Sequence, residues 1–466
     1  MHDAIDLPYH PDSTALFEYI ADRPWAAFLD SGWPLCEQGR YDILTANPRR
    51  TLVCRGGQTE IRDAAGTQMS REDPFALLRH ALGQHLNAQP GAAAEPIPGI
   101  PFRGGALGWF GYDLARRIET LPTLALDAEQ LPEMAVGLYD WALVVDHRQA
   151  RSRLVWSGPE MPAALPRLAA LFREQIREQI RQPAPPQQRA FQALAKPQAN
   201  LTRAAYGAAF ARIQRYIRNG DCYQVNLAQR FAAPVQGDTW EAYRRLRRLS
   251  PAPFSAYLRT PYGRVLSASP ERFLQLHNGD VTTRPIKGTR PRGADAAADA
   301  ALARALADSP KDRAENLMIV DLLRNDIGRV CEIGSVHTPE LFAVERFATV
   351  HHLVSTIRGR LRPGEDSASL LRACFPGGSI TGAPKIRAMQ IIEELEPHRR
   401  GIYCGAIGYL GVDGNMDTNI AIRTLVESDE VMRCWAGGGI VADSEVEAEY
   451  QETLDKAAAM LTLLGA

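Results

Sequence analysis

One short stretch decides the kind of sheet this chain can build. Asn278-Gly279, between His277 and Asp280, is flanked by two apolar, alternating runs, one from Val265 to Leu276 and one from Val281 to Ile286. Asn-Gly supplies the positive φ angles of a tight turn, so the stretch predicts a β-hairpin, and hairpins build antiparallel sheets. Folding at that turn carries Glu271 back towards Lys287. A two-residue loop sets Glu271 opposite Ile286, whereas a three-residue loop with a bulge sets it opposite Lys287. In either register an acid and an amine share one end of one ribbon. They form a strand-end salt bridge or a catalytic pair, and the ribbon alone does not choose.

The rest of the chain mixes such hairpins with separate helices and shows no regular strand–helix alternation, which predicts an α+β fold with antiparallel sheets. Residues 25–31 and 40–46 read as paired strands, and residues 102–112 as a strand whose glycines imply close backbone packing. Residues 89–101, rich in Pro, Gly and Ala, read as an exposed loop. A charged helix within residues 161–182 ends at the Pro-rich segment 183–188, the best candidate linker. The expected division is therefore a β-rich N-terminal domain over 1–188 and a second domain over 195–466, opened by a helix capped at Thr202 and stopped at Asn219-Gly220.

At 466 residues the chain is long enough for two intimately packed domains. A formal net charge of −1 gives no general attraction to nucleic acid or to anionic membranes. The seven cysteines are scattered, odd in number and without C-x-x-C spacing, which argues against a disulfide framework or a zinc site. The start of the chain lacks the basic flank and apolar run of a signal peptide, and no stretch is apolar for long enough to cross a bilayer. The expectation is a cytoplasmic protein.

Five further stretches can carry chemistry. Ser309-Pro-Lys-Asp312 opens a helix that puts Asp312 and Glu315 on one face. Ser444 and Glu447 read as a capping box for a last helix with Glu449 and Glu452 one turn apart. A carboxylate from each helix suits a hard divalent cation such as Mg²⁺, though each pair taken singly reads first as a solvated face. The glycine-rich segment 375–385 leads into a helix and offers an anion-binding end without a Walker lysine. Arg423 falls on an otherwise apolar strand, where a buried guanidinium needs an anion, and Gly437-Gly-Gly439 would let a ligand touch the backbone.

Taken together and in order, these motifs resemble the chorismate-using enzymes that include anthranilate synthase and isochorismate synthase. The resemblance covers about residues 200–466: Gly220-Asp-Cys-Tyr-Gln-Val-Asn-Leu-Ala, Ser267-Ala-Ser-Pro-Glu-Arg-Phe, Arg284-Pro-Ile-Lys-Gly-Thr-Arg, the run from Asp312 to Asp326, His352-Leu-Val-Ser, Phe375 to Lys385, and Glu449-Tyr-Gln-Glu-Thr. The N-terminal half, with Phe28-Leu-Asp-Ser31, Tyr41-Asp-Ile-Leu and the segment 104–113, looks like the accompanying domain of the amination branch. The resemblance implies large antiparallel sheets packed as a sandwich with helices on the outside.

Two positions argue the branch. Relatives that add water to chorismate carry a lysine where Gln224 stands, and an amide cannot serve as that base. Anthranilate synthases have a small alanine where this chain has Lys287, the residue typical of enzymes that make 4-amino-4-deoxychorismate. The implied reaction has a neutral Lys287 attack C2 of chorismate while Glu271 protonates the departing C4 hydroxyl; ammonia then enters at C4 and expels the lysine. The product would be a precursor of p-aminobenzoate for folate synthesis. Position by position, the resemblance implies Mg²⁺ on Glu315 and Glu452 with Asp312 and Glu449 beside them. It implies the enolpyruvyl carboxylate on Tyr403, Arg423, Gly437 and Gly439, a lining of Ser379, Thr381 and Gly382, and His352 against the reacting ring. No Gly-x-Cys-x-Gly elbow is present, so a separate glutaminase subunit is expected to deliver the ammonia. Relatives can hold tryptophan in the N-terminal domain, with Asp30, Ser31 and Tyr41 as the candidate positions. The alternatives are anthranilate synthase chemistry and a non-catalytic tryptophan- or chorismate-binding regulatory subunit.

Overall fold

The computed structural model describes residues 4–85, 97–158, 160–181, 190–347 and 350–466. The 183–188 linker and the 89–96 part of the predicted loop lie outside the described residues. Among those described, thirteen strands form one sheet and twelve a second, and their ladders run antiparallel. The period of two sorts neighbouring side chains to opposite faces. In the first sheet Ala27, Ile43, Val265 and Val426 turn inward to a cluster shared with Leu107, Trp109, Val136 and Ile407 of the second. Their neighbours Phe28, Leu44, Leu266 and Leu425 turn outward, where helices Leu165–Arg181, Thr239–Leu249 and Val446–Leu463 cover them with Phe172, Trp240 and Met460. The fold is α+β: two antiparallel sheets packed face to face with helices outside.

The two halves of the sequence share both sheets. Ala27–Asp30 pairs with Phe254–Thr260 in the first, and Gly105–Phe110 with Ala406–Gly411 in the second. No helix among the described residues is long and apolar enough to cross a membrane.

The hairpin closes in the two-residue register, His277 opposite Asp280, with φ of 51° at Asn278 and 84° at Gly279. The run from Val265 to Leu276, however, is not one strand. Gly263–Ser269 belongs to the first sheet and Arg272–His277 to the second, and the chain changes layer at Pro270-Glu271. Pro270 has no N–H to give a ladder, which favours a break there. A second corner lies alongside, where Met416–Ile420 of the second sheet passes to Thr424–Ser428 of the first. Arg423 is therefore not on a strand, as its apolar neighbours suggested, but on this corner, with φ 50°. The corners are laced together: Ile420 N–H donates to the Glu271 carbonyl at 3.0 Å, Ala268 N–H to the Arg423 carbonyl at 3.0 Å, and the Ser267 and Thr424 hydroxyls meet at 2.9 Å.

Candidate active site

Glu271 sits on the first corner, buried, and accepts a 2.8 Å hydrogen bond from the Ser379 hydroxyl. Burial pushes its carboxyl above the usual glutamate range, against the nearby Lys287 amine, the Ser379 hydroxyl and the Ile286 N–H, which favour the carboxylate. The Ile286 contact is what the two-residue register requires. Lys287 lies one residue along, on strand Ile286–Pro291, and donates to the Ser379 carbonyl at 3.0 Å. Burial, helped by the Lys456 ammonium, holds its amine below the usual lysine range, while Glu271, Glu315 and Glu452 pull it back up. The acid and the amine do not pair with each other. Both are held by one residue, Ser379, through its hydroxyl and its carbonyl.

Strand Val350–Arg360 runs beside Lys287, and a bulge at Gly288 brings Thr289 opposite His352. The Thr289 hydroxyl and His352 Nδ1 lie 3.0 Å apart, and the ring is edge-on to Phe347. Burial, then the Arg423 guanidinium, pushes His352 down to about 4, so it is neutral at pH 7. Arg423 is itself half-buried and has neither a hydrogen bond nor an ion pair from its guanidinium among the described residues, and burial alone lowers its proton affinity. An unpaired guanidinium in such surroundings suits an anion.

The carboxylate helices frame the other side. Ser309 caps Pro310–Gly328 by accepting from Asp312 N–H at 3.3 Å, as its sequence predicts. The capping box expected at Ser444 is not formed: Glu445 is the N-cap of Val446–Leu463, Glu447 pairs with Arg203, and the Ser444 hydroxyl donates to Glu449 Oε1 at 2.7 Å. The nearby carboxylate draws the hydroxyl away from the helix end. Glu449 Oε2 is buried without a partner, and both it and Glu452 Oε1 approach Gly438, at 2.9 and 3.5 Å from where a Cβ would stand. Burial raises the Glu449 and Glu315 carboxyls, and Glu452 adds to both shifts. Asp312 is tied to Arg290 at 2.9 Å. Among the described residues no three carboxylate, histidine or cysteine side chains gather into a ready cage. The donors stand as pairs on two helices.

Tyr403 stacks parallel to Trp435, centroids 6.1 Å apart, and burial keeps its phenol protonated. Thr381 and Gly382 follow Ser379 on the turn, the Thr381 hydroxyl donating back to the Gly377 carbonyl at 3.1 Å. Gly437 and Gly439 face strand Gln224–Gly237, where a Cβ would come within 2.4 Å of the Leu227 carbonyl and 2.5 Å of Gln224 Nε2. Asp30, Ser31 and Tyr41 are elsewhere. They line a cavity of about 1240 Å³ whose far wall includes Pro270, Arg272 and Ile286, the neighbours of Glu271 and Lys287. Asp30 is already bound by Arg247 at 2.6 Å and by the Tyr243 hydroxyl at 2.8 Å, and Ser31 donates to Asp42. Tyr41 lies under Arg40.

Sequence reasoning missed Lys456, which pairs with Glu452 at 2.6 Å and repels a proton on Lys287. It lies one turn beyond Glu452, a spacing that could have flagged it. Asn226 was also missed, although a lone amide between Val225 and Leu227 on a strand needs a partner.

Residues 38–462 match the family described as chorismate binding enzyme, and the chain belongs to it. It is 53% identical to aminodeoxychorismate synthase component 1 of Klebsiella aerogenes, over 97% of this chain and 96% of that protein. It is 50% identical to the protein of that name from Escherichia coli K12, over 94% and 93%. Among solved structures, anthranilate synthase component I of Streptococcus pneumoniae superposes with a TM-score of 0.76 at 34% identity, covering 91% of this chain and 92% of that one.

Proposed function

We propose that this chain aminates chorismate at C4 to give 4-amino-4-deoxychorismate, the precursor of p-aminobenzoate. The observation that carries the reading is the pair on Ser379: an amine held towards its neutral form beside a carboxyl held towards its protonated form, neither neutralising the other. Both shifts run in the direction the reaction needs. The neutral Lys287 amine forms a bond to C2 as the two conjugated ring double bonds shift, C1=C2 to C1=C6 and C5=C6 to C4=C5, and the C4–O bond breaks. Glu271 gives its proton to the departing hydroxyl, which leaves as water. Ammonia then bonds to C4, Lys287 leaves C2 as both double bonds return, and the surplus proton on nitrogen goes back to Glu271. The enolpyruvyl group stays in place.

Arg423 is the group suited to the enolpyruvyl carboxylate, with the backbone at Gly437 and Gly439 and the buried Tyr403 and Thr381 closing round it, while neutral His352 packs against the ring. The unpartnered Glu449 Oε2 and the raised Glu315 carboxyl fit a divalent cation. Glu315 and Glu452 would hold Mg²⁺, with Asp312 and Glu449 beside them. Mg²⁺ keeps several waters and takes few protein ligands, so one or two carboxylates from these pairs suffice. Such an ion neutralises substrate carboxylate charge and fixes its orientation. A separate glutaminase subunit supplies the ammonia, and the protein works in the cytoplasm. In this reading Asp30, Ser31 and Tyr41 from residues 1–188 and Arg272 and Ile286 from residues 195–466 together line the tryptophan cavity, and 195–466 carries the chorismate site. Calorimetric binding of tryptophan that is lost in Tyr41→Ala tests the cavity.

The test of the activity is incubation with chorismate, Mg²⁺ and ammonium, with the product identified by mass. 4-Amino-4-deoxychorismate is expected, and none from Lys287→Ala. Anthranilate, isochorismate or no turnover overturns the reading.

A further inference from the structure

Ser379 holds both reacting groups, so what holds Ser379 matters. Its carbonyl accepts a second hydrogen bond, from Asn226 Nδ2 at 3.2 Å. Each polar group of Asn226 is engaged around the same turn. Its N–H donates to the Thr381 carbonyl at 2.9 Å, its carbonyl accepts from Arg400 Nη2 at 3.1 Å, and its Oδ1 accepts from Gln224 Nε2 at 3.4 Å. Arg400, fully buried, also donates to the Ile380 carbonyl at 2.9 Å and is locked by Glu396 at 2.6 Å. The backbone is thus pinned on both sides of the Asn226–Ser379 bond, and the amide has little room to leave it.

We infer that Asn226 is a positioning residue: its amide fixes the Ser379 carbonyl on which the Lys287 amine rests, and through Ser379 sets Lys287 and Glu271 relative to each other. This rests on the reading of Lys287 and Glu271 as the reacting pair. Two donors share one oxygen, and each weakens the oxygen as an acceptor for the other. A carbonyl with Lys287 as its one donor would bind the ammonium form more strongly than the amine. With Asn226 present the oxygen aims the amine without trapping it as the cation. Removing the amide donor therefore both loosens the turn and lets Lys287 keep its proton to higher pH.

Asn226→Leu removes the donor at similar size, and Asn226→Asp keeps the shape while replacing the donor with an acceptor. Two readouts are taken on the full chain. The first is the steady-state rate with chorismate, Mg²⁺ and ammonium. The second is the pH midpoint for covalent labelling of the Lys287 amine by an electrophile, read at that residue by peptide mass spectrometry. Asn226→Leu is expected to lose kcat by roughly tenfold or more, with the KM for chorismate changed by less than about threefold, as for a misplaced reacting group. The labelling midpoint moves to higher pH in both variants, further in Asn226→Asp. An unchanged midpoint in either soluble variant overturns the inference whatever the rate does, and so does a loss carried by KM alone. If Asn226→Leu does not fold, Asn226→Asp is read in its place. The outcomes separate from those of the functional reading: absence of 4-amino-4-deoxychorismate from the unmodified protein sinks that reading, whereas the labelling midpoint reports on Asn226 without turnover.

Discussion

Replacing Arg423 by methionine keeps the length of the side chain and removes its charge, and two measurements should then move in opposite directions. The guanidinium has no partner among the described residues, so it is free to take two charge-assisted hydrogen bonds from a carboxylate. At about 1.5–3 kcal/mol each, their loss amounts to ~3–6 kcal/mol, or ~10²- to 10⁴-fold in chorismate affinity. Stability should change the other way. Burial lowers the proton affinity of Arg423, so at pH 7 the fold bears a cost for keeping it charged that the unfolded chain does not. Because the side chain is only half-buried, solvent screens part of that cost. Its removal should therefore raise the melting temperature of the variant slightly. Calorimetric titration with chorismate reads the first effect, and thermal melting with and without chorismate reads the second. At a hundred times the native Kd, chorismate should stabilise the native protein by about 2.7 kcal/mol and the variant by no more than about 0.4 kcal/mol. A variant that binds chorismate within about threefold of the native protein, or that melts below it, refutes the reasoning.

Three other outcomes follow from the same geometry. Glu271→Gln retains an acceptor for the Ser379 hydroxyl but has no proton to give, so kcat should fall ~10²- to 10⁴-fold, and the bell-shaped pH profile of the coupled pair should reduce to a single titration. Loss of that carboxylate also removes a charge that raises Lys287, so the amine stays available and a fall in rate reports the missing acid. His352 is held down to about 4 when folded, below its unfolded value of about 6.5, so the unfolded chain binds the extra proton between those limits. Stability present above pH 6.5 should fall as the pH drops towards 4, by about 3 kcal/mol from this group, and melting curves of His352→Gln should lack that part of the slope. Glu449→Gln should raise the Mg²⁺ concentration for half-maximal rate by roughly 10- to 100-fold, and chelation should abolish turnover; an unchanged Mg²⁺ dependence would remove Glu449 from the cation site.

What the sequence disclosed was local. Asn278-Gly279 fixed a turn because both residues tolerate positive φ, and Ser309-Pro310 fixed a helix start because a cap bond spans only three residues. The layer change at Pro270-Glu271 stayed hidden because apolar alternation runs unbroken from Val265 to Leu276. Period-two patterning states which side chains are buried, not which sheet buries them. Ser444 failed as a cap for a related reason: its strongest partner, Glu449, lies inside the helix and not at its end. The candidate residues were legible as a set through family motifs, yet the bond pattern joining them was not, since Asn226, Ser379 and Lys287 are far apart in sequence and meet at one carbonyl oxygen.

The corners explain why the site stands where it does. Within either sheet a backbone is saturated by its ladders and a side chain is committed to one face. Where two adjacent strands change layer together, side chains leave the ladder plane while rigid, paired strands hold them on either side, which is the support a reacting group needs. Glu271 and Arg423 occupy the two corners, and Lys287 enters from the strand that the Asn278-Gly279 hairpin turns back along the second sheet. The electrostatics agree with that layout. Burial favours an uncharged amine, but Glu315 and Glu452 pull it towards the cation, so whatever neutralises those carboxylates releases the amine. Lys456 already does part of this, pairing with Glu452 and repelling a proton on Lys287, and it stands on the helix that carries Glu449. In the proposed reading the helix that carries Glu449 and Glu452 thus also presents Lys456, the charge that opposes a proton on Lys287, so a cation on those carboxylates would favour the neutral amine.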